Sequence, residues 1–386
     1  METTSHQIHV PNTLDVMAVE RELAELWKQT AGFADTDGDE VVMRARAADL
    51  MVFITDESAL EETHQTISEL SAAHPCRALV MVADGAGAAR DIEMHVTAFC
   101  QTEARSGKKQ LCCEEVTLSA RGHFTAELPS AAVPLLVPDL PVFLWWRDEL
   151  NLNEKLLQSL TRAADRLVID SAELRNPQTD LRAIAQLFES EGDAAIAVSD
   201  LNWARLTSWR SLLANFYDVR EYRPILDSIN NVQIEYVGSG QDETIVPQAF
   251  LISGWLASRL GWDIAGKAEQ IERDSYFEFQ QDNRRITLGL KRVERPSMKP
   301  GRLTQIQLQT TGKNTASFLV LRSEDGLHLE THARMARRSL PGRTLPVRNR
   351  STAQLLAREM EILCNDKIYE DALNLALQMI AALERA

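Results

Sequence analysis

Between residues 141 and 217 the chain alternates strand-like and helix-like segments, and this rhythm constrains its fold more than any other feature. The apolar run PVFLWWR (141–147) precedes a helical pattern over 152–163. Then come RLVID, a helical pattern over 179–190, AAIAVSD, and a helical pattern over 201–217. Short apolar runs separated by helices of roughly ten to fifteen residues imply strands joined by crossovers, and therefore a parallel sheet with helices on its faces.

The flanking segments extend this picture. Residues 13–30 carry Leu14, Met17, Leu23, Leu26 and Trp27 near one side of a helix, with Asn12 or Thr13 placed to cap it. VVMRARAADLMVFIT reads as one strand. A helix over 58–73 stops before His74-Pro75, because the residue preceding proline resists the α conformation. CRALVMVAD reads as a buried strand. IEMHVTAFC alternates Ile92, Met94, Val96 and Ala98 against Glu93, His95, Thr97 and Phe99, as a half-buried strand does, and QLCCEEVTL is a further strand. A helical stretch is expected over 124–136.

Beyond Asp218 the pattern changes. A short helix, the strand NVQIEYV and a helix over about 244–260 lead into DSYFEFQ, RRITLGLKRV, RLTQIQLQT, ASFLVLRS and GLHLETHA, strands with no helix between them. That succession predicts an antiparallel meander. Helices over 351–364 and 368–384 close the chain. The expected fold class is α/β, an N-terminal mixed-to-parallel sheet with flanking helices, followed by a smaller α+β domain with an antiparallel meander and two C-terminal helices. The expected domains are residues 1–220 and 221–386. A length of 386 residues accommodates two or three domains at ~150 residues each.

The formal charge of −15 argues against general binding to nucleic acid or anionic membranes. Residues 284–350 nevertheless hold fifteen Lys and Arg against four Asp and Glu, a local +11, leaving −26 on the remainder. Such a split marks one face for an anionic partner or, equally, a solvated sheet face. AAVPLLVPDLPVFLWW, the most apolar region, is broken by three prolines and Asp139, so no membrane span is expected. METTSHQIHV has no basic region followed by an apolar stretch, and the five cysteines form no CxxC pair; a cytoplasmic protein with reduced thiols is the expectation.

The search for catalytic motifs finds none. DGAGAARD (84–91) begins like a dinucleotide fingerprint, but Arg90 replaces the third glycine and a strand follows, so a hairpin turn is expected. VGSGQDET (237–244) puts Glu243 in that place and reads as a capping turn. HLETH (328–332) sets His328, Glu330 and His332 on one strand face, either a ligand set or the solvent side of an amphipathic strand; the latter is preferred, with no metal and no cofactor expected. Cys112 and Cys113 point to opposite faces of a strand and read as core thiols, with a redox role as the weaker alternative.

Two tryptophan-rich phrases stand apart. In LPVFLWWRDEL (140–150), Trp145 and Trp146 must face opposite sides of the sheet. In DLNWARLTSWR (200–210), a continuous helix from residue 201 puts Asn202, Arg205 and Trp209 in one sector, with Arg205 placed to stack on Trp209 and Asp200 placed to cap. The rings are expected in the core. Trp146, Arg147, Asn202, Arg205, Trp209 and Arg210 are then the candidates for a polar pocket or a domain seam.

LPVFLWWRDEL, RLVIDSAELRNPQTDL (166–181) and DLNWARLTSWRSLLANFYD (200–218) together resemble the OpcA family of glucose-6-phosphate dehydrogenase assembly proteins. VVMRARAADLMVFI and HPCRALVMV (74–82) fit the same family. The resemblance implies a non-catalytic, allosteric partner of glucose-6-phosphate dehydrogenase, acting in the oxidative pentose phosphate pathway and linked in photosynthetic bacteria to redox control. With that partner in view, the basic segment ARMARRSLPGRTLPVRNR (333–350) reads as a loop that contacts an acidic enzyme surface through Arg334, Arg337, Arg338, Arg343, Arg348 and Arg350. Two rivals are a sugar-phosphate enzyme without a familiar motif and a nucleic-acid module using the basic segment. The absence of interleaved aromatics over 333–350 weighs against the second.

Overall fold

The computed structural model describes residues 2–8, 16–34, 41–44, 46–88, 90–102, 109–190, 195–238, 245–310, 315–335, 338–340, 342–347, 350–362 and 364–386. The chain forms two compact units that interleave along the sequence. The first holds Met1–Ile169, Gln186–Ser199 and Ser351–Asn365; the second holds Asp170–Ala185, Asp200–Arg350 and Asp366–Ala386.

The first unit is built on a parallel-rich sheet. Its strands are β1 (Glu2–Ile8), β2 (Val41–Arg44), β3 (Ala48–Ile54), β4 (Cys76–Asp84), β5 (Arg90–Thr102), β6 (Lys109–Arg121), β7 (Val142–Trp146), β8 (Arg166–Ile169) and β9 (Ala197–Asp200). They run in the order β1-β5-β6-β4-β3-β7-β8-β9, with β2 beside β6. β3 is parallel to β4 and β7, and β6 is parallel to β4; β5 is antiparallel to β1 and β6. The central strands are unbroken apolar runs because both faces are covered: every residue of β3 and β7 is buried, as are the first eight of β4. Around them lie α1 (Val16–Ala34), α2 (Leu60–Ser71), α3 (Leu128–Ala132) and α4 (Lys155–Thr161).

Three expectations are corrected here. VVMRARAADLMVFIT is two strands, because the Ala47 N–H bonds to the Pro75 carbonyl (2.8 Å) and the chain leaves β6 to enter the sheet beside β4. The Gly85–Gly87 stretch is a turn, with Asp84 accepting from the Gly87 N–H (2.9 Å), but it closes no hairpin: β6 lies between β4 and β5. The helix expected over 124–136 shrinks to α3 between 3-10 turns, since Pro129 and Pro134 each lack the N–H that a longer helix needs.

The second unit begins with the first turns of α5 (Pro177–Glu189) and continues through α6 (Leu201–Arg205), α7 (Thr207–Asp218), α8 (Arg223–Leu226), β10 (Asn231–Val237) and α9 (Pro247–Leu260). Its sheet adds β11 (Asp263–Ile264), β12 (Glu269–Ile271), β13 (Asp274–Gln281), β14 (Arg284–Val293), β15 (Leu303–Thr310), β16 (Ala316–Arg322), β17 (His328–Met335), β18 (Arg338–Leu340) and β19 (Thr344–Pro346). The two closing helices are α10 (Thr352–Glu359), in the first unit, and α11 (Lys367–Leu383), in the second.

The second sheet is antiparallel apart from one pair. β10 lies between β14 and β15 and runs parallel to β14, so the meander is interrupted. The connection over 294–302 is too long for a tight hairpin turn, and it spans the ~10 Å that an intervening strand requires. The segment over 333–350 is not a loop throughout either. β18 and β19 both pair with β17, whose open edge offers them unpaired N–H and C=O groups.

α9 and α11 pack at the centre of this unit. α9 opens with Pro247 at its first turn and ends on Gly261, which adopts φ 65° as a left-handed C-terminal residue. A Cβ at Gly254 would overlap the Ala372 carbonyl oxygen and press on Ala376 N at 2.9 Å, so the two helices touch backbone to backbone there. Gly254→Ala is expected to lose about 1–3 kcal/mol through overpacking, despite the better helix propensity of alanine. Urea unfolding measures it, and a variant as stable as the parent would contradict the close approach.

Candidate functional site

The phrase DLNWARLTSWR builds a polar network in the second unit. Asp200 takes an extended conformation (φ −121°, ψ 115°) and caps α6, its Oδ1 accepting from the Asn202 N–H (2.9 Å) and from the Ser171 N–H (2.9 Å). Its Oδ2 accepts from the Tyr369 hydroxyl (3.1 Å). The Asn202 amide donates to Ser171 Oγ (3.0 Å) and accepts from Gln248 Nε2 (2.8 Å). Asp366 caps α11 and also accepts from Trp203 Nε1 (2.8 Å). Burial, with the nearby charge of Asp170, holds the Asp200 carboxyl up at about 6 against the hydrogen bonds that favour its anion.

The expected stack of Arg205 on Trp209 does not form. The helix is interrupted at Leu206, which separates α6 from α7 and breaks the i, i+4 relation. Arg205 instead makes a bidentate pair with Asp170, both bonds at 2.6 Å. Arg210 lies over the Trp203 ring, 3.5 Å from its centroid, and Arg322 lies 5.8 Å from that of Trp209. All four tryptophan rings of the two phrases are buried, as expected.

The six candidate pocket residues are divided between the two units. Asn202, Arg205, Trp209 and Arg210 belong to this network in the second unit. Trp146 and Arg147 belong to the first, where Trp146 stacks on Phe53 at 4.1 Å and donates to the Glu149 carbonyl. Arg147 sits 4.8 Å from the Trp145 ring centroid and donates to Thr63 and Glu62.

Of the basic segment, Arg334 and Arg343 are exposed and Arg350 is half-buried; Arg337 and Arg348 lie outside the described residues, and Arg338 is described only through its backbone in β18. Cys113 is a buried free thiol whose pKa is pushed up by burial, the environment of a packing cysteine. The backbone of Cys112 pairs with Cys100. HLETH is an amphipathic strand with Leu329 and Thr331 buried, and His332 Nε2 lies 3.5 Å from Glu330. Residues 239–244 of the second glycine motif lie outside the described residues. Among those described, no three His, Cys, Asp or Glu are arranged to hold a metal, and no helix is long and apolar enough to cross a membrane.

A cavity of about 310 Å³ opens in the first unit, lined by His64, Asp84, Asp91, Glu93, His95 and Arg121 among others. His64 Nδ1 lies 2.5 Å from the buried carboxylate of Glu115. Burial pulls the imidazole pKa down, but the hydrogen bond and charge of Glu115 more than offset it and the value stands above the ordinary one.

Sequence reasoning missed Asp170, Gln248, Tyr369 and Arg322 as partners of this region. Asp170 ends the apolar run RLVID, and an acid at the end of a buried strand was the one available signal.

Two family profiles match the chain. One, described as a glucose-6-phosphate dehydrogenase subunit N-terminal domain, covers residues 67–186; the other, the C-terminal domain of that subunit, covers 196–373. The "Putative OxPP cycle protein OpcA" of Nostoc punctiforme is 28% identical over 79% of this chain and 65% of its own length. The protein of the same name from Synechocystis is 30% identical over 50% of this chain and 38% of its own length. That of Synechococcus elongatus is 27% identical over 78% and 66%. The chain therefore spans under two thirds of the length of these relatives. Among solved structures, the 3-ketoreductase KijD10 from Actinomadura kijaniata aligns with a TM-score of 0.48 at 9% identity, over 88% of this chain and 98% of that one. A likeness of that degree supports no statement about chemistry. With both profiles together spanning most of its residues, the chain belongs to the OpcA family.

Proposed function

We propose that this protein is a non-catalytic partner of glucose-6-phosphate dehydrogenase that promotes the enzyme's active oligomer or raises its affinity for substrate, and so acts in the oxidative pentose phosphate cycle. The observation that carries this reading is the match to both domains of a family described as a subunit of that enzyme. The names of the cyanobacterial relatives support the pathway.

An activator works by binding the active conformation of its target better than the inactive one. The basic segment supplies the surface for an acidic partner, with Arg334 on β17 and Arg343 before β19 both exposed. Co-purification with the host's glucose-6-phosphate dehydrogenase tests the association, and kinetics at low substrate with and without this chain test the activation. Kinetics that do not change on addition would overturn the proposal, as would turnover by the purified chain alone. Reversing the charge at Arg334 and Arg343 is expected to weaken binding several-fold and to flatten its salt dependence. An unchanged affinity across a salt series would remove these residues from the interface.

A further inference from the structure

Three arginines from distant parts of the sequence converge in the second unit. Arg205 stands at the end of α6, Arg302 precedes β15, and Arg322 ends β16. One run of hydrogen bonds fixes them to the same place. Asn202 accepts from Gln248, and Gln248 Oε1 accepts from the Leu303 N–H (3.2 Å). The Leu303 carbonyl accepts from Arg322 Nε (3.2 Å), while the Arg302 carbonyl accepts from the Val237 N–H (2.9 Å). Trp209, 1% exposed, lies beneath the Arg322 guanidinium.

The three heads are compensated unequally. Arg205 has both oxygens of Asp170. Arg322 spends Nε on Leu303 and Nη1 on the Gly326 carbonyl, leaving Nη2 without a bond to any described residue. The Arg302 guanidinium bonds to none of the described residues, and neither Arg302 nor Arg322 forms an ion pair among them. Both are half-buried, and each stands near another cation: burial and Arg205 lower the pKa of Arg302 with Asp170 partly opposing them, and burial and Arg302 bring that of Arg322 to about 10. Two partly desolvated guanidinium groups without an ion pair among the described residues cost free energy. Packing alone gives no reason for them.

We propose that Arg302 and Arg322, with Arg205 held beside them by Asp170, form a binding site for the phosphate group of a small phosphomonoester. Two planar forks with free N–H donors suit a tetrahedral dianion, whose charge suits two cations that form no ion pair among the described residues and whose oxygens can each accept from a fork. A carboxylate offers half that charge. The site goes beyond the partnership with the dehydrogenase and stands or falls without it, since it is read on the isolated chain.

The experiment is calorimetric titration of the purified full chain with inorganic phosphate, with a sugar phosphate, and with the matching unphosphorylated sugar, at fixed ionic strength. Phosphate and the sugar phosphate are expected to bind and the free sugar is not. Arg302→Gln removes a side chain with no bond to a described residue, so its thermal midpoint without ligand stays at or above that of the parent, while its affinity for phosphate falls about tenfold or more. Arg285→Gln, an exposed arginine of β14 outside the cluster, leaves the affinity unchanged. The proposal is overturned if neither phosphate nor sugar phosphate binds the parent, if Arg302→Gln binds them equally well, or if Arg302→Gln loses only association with a protein partner.

Discussion

Glu114→Ala is expected to destabilise the first unit by about 3–5 kcal/mol, because it strands a buried charge. Glu114 is 1% exposed and Arg77 is 2% exposed, and their pair at 3.0 Å lies inside the sheet where β4 meets β6. Arg46 reaches the same carboxylate at 2.7 Å. Arg77 is further held by Glu20 and by the Leu135 carbonyl, both at 2.7 Å; burial lowers its pKa, and Glu20 and Glu114 together more than offset this. Removing Glu114 leaves Arg77 with the neutral Leu135 carbonyl and, as its ion-pair partner among the described residues, Glu20, which is 40% exposed and screened by solvent. Glu20→Ala is accordingly expected to cost no more than about 1 kcal/mol. Replacing Glu114 and Arg77 together by Leu and Met should recover part of the loss, since it removes the fully buried charge that Glu114→Ala strands and leaves only Arg46, 20% exposed, without that partner. Urea unfolding of the four proteins gives the comparison. A Glu114→Ala variant within 1 kcal/mol of the parent would show that this pair does not hold the sheet.

The legible parts of the fold were those where one strand or helix carries its own pattern. β5 announces itself because Met94, Val96 and Ala98 turn inward and their neighbours outward, and β4 because both of its faces are covered. The Asp200 cap was legible for the same reason: the residue and the N–H it accepts from are two positions apart. What stayed hidden depended on partners remote in sequence. Arg205 could be placed on a helix, but its partner Asp170 lies 35 residues earlier, and nothing in 200–210 shows that the helix breaks at Leu206. Arg302 and Arg322 read as ordinary sheet arginines until the strand order brings them to α6. The insertion of β10 between β14 and β15 is likewise a choice of the sheet, made where several strands offer similar edges. The tryptophan phrases identified the family because their composition is unusual, whereas their contacts were settled by residues outside them.

Asp200 gives the second large effect, and its sign is opposite to that of an ordinary salt-bridged carboxylate. In the unfolded chain its pKa is near 3.8, and in the fold burial lifts it to about 6. Between those values the folded state holds a proton that the unfolded state has lost, so stability is greatest at low pH and falls as pH rises through the folded value. A shift of about two pKa units corresponds to roughly 3 kcal/mol, fully lost above about pH 7. Asp49, buried in β3, is also lifted to about 6 and acts in the same direction, so the parent's own curve sums both. The difference between the parent and Asp200→Asn isolates the one residue. Asparagine keeps an acceptor for the Ser171 and Asn202 N–H groups and cannot ionise. Stability of the parent relative to Asp200→Asn should therefore decline by about 2.4 kcal/mol from pH 4 to pH 7, centred between 4 and 6. Asp200→Ala, by contrast, leaves three buried donors without an acceptor and should be destabilised by about 3 kcal/mol or more even at the acid end, where ionisation plays no part. A flat difference curve for the asparagine variant would mean that the Asp200 anion is as well accommodated in the fold as in water. A curve rising with pH would mean that Arg205, and not burial, governs the carboxyl.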